Sequence, residues 1–115
     1  MANTKAAQLL EHLHKRTQDD SLDWEEGPLD ETYQVNFPQY SIIIESISDI
    51  ENLADYQISI MNADGKVIET ISDDEMPKIN DKNATRIFAD IFSNARRKAL
   101  GTDEAMDYIL GALKR

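Results

Sequence analysis

The chain has 115 residues, 41% of them hydrophobic and 30% charged, an ordinary balance for a globular domain and too apolar for a disordered one. A chain of this length buries roughly two-thirds of its unfolded surface, enough for one core and not two, so a single α+β domain over residues 1–115 is expected. Cysteine is absent, which excludes a disulfide framework and any thiolate metal site, and the longest unbroken aliphatic run is Ile42-Ile43-Ile44, too short for a spanning helix.

The net charge of −10 is unevenly spread. Residues 1–20 are neutral, residues 21–80 carry fourteen Asp or Glu against only Lys66 and Lys78, and residues 81–115 are mildly basic. His12, His14 and Lys15 fall where a signal-peptide core would have to lie. A cytoplasmic protein with no membrane attachment is therefore the default expectation.

Taken in order, Thr4 to Thr17 places Ala6, Leu9, Leu10 and Leu13 on one helical face, which predicts an amphipathic helix of about three turns. From Leu22 the period becomes two. Leu22 and Trp24 share a face, Gly27-Pro28 interrupts, and Tyr33, Val35 and Phe37 alternate with polar residues as a strand with one buried face. After Pro38, Tyr40 to Ile47 carries Tyr40, Ile42 and Ile44 on one side and Ile43 and Ile47 on the other. This suggests a central strand covered at least partly on both sides. Residues 48–55 read as an acidic loop with room for one helical turn.

Tyr56, Ile58 and Ile60 begin a hairpin whose second strand alternates Val67, Glu69 and Ile71 with Lys66, Ile68 and Thr70. Asn62-Ala63-Asp64-Gly65 is the turn, with Gly65 supplying positive φ. Ser72 to Glu75 fits a capping box cut short by Pro77, and Ile79 to Lys82 reads as linker. A helix follows from Asn83 to Leu100 with Ala84, Ile87, Phe88, Ile91, Phe92, Ala95 and Ala99 on its stripe. Gly101 ends it, Thr102 caps a last helix, and Met106, Ile109, Leu110 and Leu113 form that helix's stripe. The expected architecture is an N-terminal helix, a four- or five-stranded antiparallel meander and two C-terminal helices packed on one sheet face.

The segments LLEHLHKRT, LDWEE, DYQISIMNADGKVIETISDDE and ARRKALGTDEAMDYIL together resemble a group of small uncharacterised bacterial proteins. These similarly join a Leu-rich N-terminal helix, a Trp-Glu-Glu segment, an Asp-Gly hairpin and a closing ARR-x-ALG-x-DEA helix pair. The resemblance covers most of the chain, supports the layout and implies no activity.

Chemistry-bearing patterns are sparse. His12 and His14 lie about 200° apart on a helix and do not chelate one ion together, so no metal site is expected. An EF-hand register through Gly65 puts Ile60 and Ile71 where carboxylates are needed. Asp73, Asp74 and Glu75 read as capping and solvated acids. No nucleophile elbow or phosphate loop occurs, so no catalytic residue and no cofactor is expected. The closing helix pair outlines a helix-turn-helix, yet its second helix begins with Asp103 and Glu104 and would meet phosphates with negative charge, so no nucleic acid is expected as partner.

The leading expectation is a non-enzymatic protein-interaction module, a homodimer or other homo-oligomer or a binder of another protein. Trp24, Tyr33, Arg96 and Arg97 are its candidate contact residues, with core packing favoured for the two aromatics. Two further readings are an inhibitor, immunity or anti-restriction factor that sets its acidic sheet on a basic target, and a small-ligand domain with Met61, Met76 and Met106 lining a pocket. The hairpin is directly testable. Gly65→Val is expected to destabilise the fold by about 1 kcal/mol or more through backbone strain, and an unchanged thermal melt would count against the turn.

Overall fold

The computed structural model describes residues 4–47, 55–76, 78–79 and 82–115; the expected acidic loop at 48–55 lies outside these except for Asp55. Helix α1 (Thr4–Gln18) comes first. Strands β1 (Glu25–Glu26), β2 (Thr32–Asn36), β3 (Tyr40–Ser46), β4 (Tyr56–Asn62) and β5 (Val67–Ser72) follow, then a 3-10 turn at Asp73–Glu75. A small antiparallel pair, β6 (Lys78–Ile79) and β7 (Lys82–Asn83), leads into α2 (Ala84–Leu100) and α3 (Thr102–Leu113). The fold is α+β, and the meander has five strands, all antiparallel, in the order β1-β2-β3-β4-β5.

Strand pleating sorts the side chains onto two faces. Across the inward face Tyr33 pairs with Ile44, Ile44 with Ile58 and Ile58 with Ile71, and all four are buried. On this row lies α2, whose Ala84, Ile87, Phe88, Ile91 and Ala95 are buried as the 3.6-residue period requires. Phe92 sets its ring edge-on to Tyr33 at 5.3 Å and tilted against Tyr56 at 5.6 Å. Leu10 and Leu13 of α1 complete the cluster. On the opposite face Ile43 is buried between Gln34 and Ser59 without joining that cluster.

Asn62 and Gly65 shape the β4–β5 turn as expected: Gly65 has φ 82°, its N–H donates to the Asn62 carbonyl at 3.0 Å, and Asn62 Oδ1 accepts from the N–H groups of Asp64 and Lys66. One expectation for this hairpin fails. Met61 pairs with Val67 and Ile60 with Glu69, so a bulge at Ile68 breaks the alternation and leaves both Val67 and Ile68 half exposed. The segment read as linker also differs, since Lys78–Ile79 and Lys82–Asn83 pair as two-residue strands. Two residues are too few to display a period, so the sequence carries no strand signal there.

Asp73 is the acid whose role the sequence did not reveal. Expected to be solvated, it is buried; its Oδ1 accepts from the N–H groups of Asp55 (2.9 Å) and Tyr56 (3.2 Å), and its Oδ2 accepts from the Thr85 hydroxyl at 2.6 Å. One side chain thus ties the start of β4 to the 3-10 turn and the first turn of α2. Glu75 performs the expected capping task, accepting from the Ser72 N–H at 2.9 Å. Asp73→Ala would leave three donors without their acceptor and is expected to destabilise the fold by about 2–4 kcal/mol. Asp73→Asn should fall between it and the native chain, because an amide nitrogen does not accept from Thr85. Denaturant midpoints for the three proteins check the order.

Candidate interaction surface

Gly101 separates the two C-terminal helices. Its φ of 66° is left-handed, and its N–H donates back to the carbonyls of Arg97 and Lys98, closing α2. Thr102 was expected to cap the last helix, but it is the first helical residue; Gly101 holds the cap position and offers no side chain. The junction is held instead by the Ala105 N–H donating to the Gly101 carbonyl and by Arg97 Nη2 paired with Asp103 Oδ1.

Beyond that junction α3 has no buried residue. The sequence led us to expect its stripe to bury as the others do. Instead Met106, Ile109, Leu110 and Leu113 are 48%, 54%, 50% and 74% exposed, and Leu100 at the end of α2 adjoins them at 44%. The reason lies in α2, which already covers the inward row of the sheet and whose buried side ends at Ala95; past Gly101 the chain runs clear of the sheet. The molecule is correspondingly long, 57 × 33 × 29 Å, with a radius of gyration of 15.4 Å against about 13 Å for a compact chain of this length.

The residues singled out from sequence do not converge here. Trp24 and Tyr33 are buried, 4% and 3% exposed, so neither is a surface anchor; Trp24 Nε1 donates to the Thr17 hydroxyl at 3.1 Å, tying the β1 segment to the end of α1. Arg96 and Arg97 are exposed on the last turns of α2, where cations complement the helix dipole, and Arg97 is engaged by Asp103. The three methionines do not share a pocket: Met76 is in the core, Met61 lies on the outer face of the sheet and Met106 on α3. His14 Nε2 lies 3.3 Å from Asp90 Oδ2, while His12 is exposed. Lys98 Nζ lies 3.1 Å from Asp20 Oδ1, and that hydrogen bond and charge raise the lysine pKa above its ordinary value.

Among the described residues no cluster of three or more metal-ligating side chains occurs, and no helix is long and apolar enough to cross a membrane. Searches against protein-family models, curated proteins and solved structures found no match.

Proposed function

We propose that this chain is a small acidic, non-enzymatic interaction module that self-associates through α3. The observation that supports this reading is the unburied apolar stripe of a 12-residue helix. Isolated helices of that length are marginal in water, and helices in proteins draw most of their stability from burying a face. Gly111 weakens α3 further, since a helical glycine is less favourable than alanine by about 1 kcal/mol. Burying four side chains of this size is worth about 1.5–3 kcal/mol each from full exposure; half-exposed, they hold roughly half of that in reserve. Association itself costs about 4–15 kcal/mol, so the expected pairing is weak, micromolar or looser.

Charge selects the orientation. At 100° per residue Asp103, Asp107 and Lys114 fall along one flank of the stripe. A second copy laid antiparallel sets this flank against its own counterpart and brings Asp107 of one copy beside Lys114 of the partner subunit, whereas in a parallel pair the flank meets the opposite one, which carries Ala105 and Ala112 and offers no opposite charge. Sedimentation equilibrium of the native chain should show a mass rising toward the dimer with concentration. Leu110→Glu should remain monomeric with an unchanged core melt, because Leu110 touches no core. Asp107→Lys should weaken pairing, and Asp107→Lys combined with Lys114→Asp should restore it. A strict monomer at high concentration overturns the reading.

A second reading has its own support. Asp23, Glu25, Glu26, Asp30 and Glu31 are all exposed around the β1 edge, and none enters an ion pair among the described residues. Such a patch suits an inhibitor-like factor that occupies a basic protein surface. Binding of that kind should weaken about tenfold or more from low to high salt. Salt-independent binding to a basic target, followed by fluorescence anisotropy, would count against it.

A further inference from the structure

The helices do not cover the whole inward face of the sheet. Near the β2–β3 turn, where the Phe37 N–H donates to the Tyr40 carbonyl at 2.7 Å, the row Ile42–Ile60 runs out from under α2. There Phe37 and Tyr40 are 42% and 48% exposed and Ile60 is half buried. Between this end of the sheet and α1 lies a groove of about 380 Å³, within the range of small-molecule sites. Its floor is Leu13, Leu22 and Ile42, and Phe37 and Tyr40 form one wall.

The ionisable rim is unlike the rest of the molecule. In a chain with 22 acids against 12 Lys and Arg, no carboxylate among the described residues lines this groove; besides the Tyr40 phenol, the ionisable described residues on it are His12 and Arg16, four apart on α1 and therefore on one helical face. Arg16 is among the residues that line the groove, and its Nε donates to the Ser21 hydroxyl at 2.8 Å, which restrains the guanidinium. Arg16 forms no ion pair among the described residues. Its two terminal nitrogens thus form a fork suited to a carboxylate.

We propose that this groove binds a free, single-chain amphipathic anion, an aliphatic carboxylate whose hydrocarbon lies on Leu13, Leu22 and Ile42 and whose head group is held by Arg16. Charge and shape point to the same ligand: a neutral apolar molecule makes no use of the guanidinium, and a compact hydrophilic anion makes no use of the hydrocarbon floor. The site is separate from the α3 stripe, and its occupancy does not depend on self-association.

The test uses the full chain carrying Leu110→Glu, so that amphiphiles adsorbing to α3 are not mistaken for occupants of the groove. Hexanoate, octanoate and decanoate, each kept below its aggregation concentration, are titrated calorimetrically and followed by amide chemical shifts. Saturable one-to-one binding is expected, tightening about three- to fourfold per methylene, with shift changes centred on residues 9–16 and 37–42. Decanol should bind about tenfold more weakly than decanoate. Arg16→Gln should remove that preference without altering decanol binding, Arg16→Lys should keep most of it, and Ile60→Trp, which fills the groove, should abolish both. Absence of saturable binding, equal affinity for acid and alcohol, an indifferent Arg16→Gln, shifts centred elsewhere, or binding to anionic vesicles without binding to monomeric decanoate would each overturn the proposal.

Discussion

A continuous apolar row across one face of the meander, Tyr33 to Ile44 to Ile58 to Ile71, covered by a single helix, is the constraint on which the rest of this structure depends. Phe88 and Ile91 of α2 are wholly buried against the core, and α1 fills the remaining flank with Leu10 and Leu13. Everything peripheral is then registered to that sandwich by a few polar ties. Trp24 holds the β1 segment to Thr17, and Asp73 binds the start of β4 to the start of α2. A buried carboxyl with three donors suits this role because leaving any of those donors unmet inside the protein is unfavourable.

The same constraint accounts for both candidate surfaces. One helix covers only part of a five-stranded sheet, so the Phe37–Tyr40 end remains open as a groove. α2 occupies the central inward row, and α3 beyond it packs on the end of α2. Gly101 turns the chain away at φ 66°, and α3 is carried outward by one ion pair and one backbone hydrogen bond. Its stripe has the same i, i+3, i+4, i+7 spacing as that of α2. The two stripes differ only in what lies beneath them.

Electrostatics follow a related division. Five of the fourteen acids between residues 21 and 80 lie around the β1 edge, whereas most bases of the C-terminal third sit on α2 and at the end of α3. Lys98 reaches across to Asp20, itself in the left-handed region at φ 59°, so the turn ending α1 and the last turns of α2 are bridged by opposite charge. That contact is exposed and contributes little to stability. The groove beside α1, by contrast, has His12 and Arg16 on its helical side.

Periodicity by itself determined a large part of this protein. The alternation through residues 32–46 and 56–62, the stripe of α2, the stop at Gly101 and the Asn62–Gly65 turn all follow from side-chain spacing or local backbone chemistry, and they survive in the structure because neighbours within a few residues dictate them. The bulge at Ile68 and the pairing of β6 with β7 were illegible, since a register shift or a two-residue ladder leaves no trace in spacing. Only the tertiary arrangement decided that Asp73 is buried among three donors and that α3 lies uncovered, whereas the interior placement of Trp24 and Tyr33 agrees with the core packing their spacing favoured. A hydrophobic pattern states which face of an element avoids water; whether another surface is within reach depends on contacts distant in the chain.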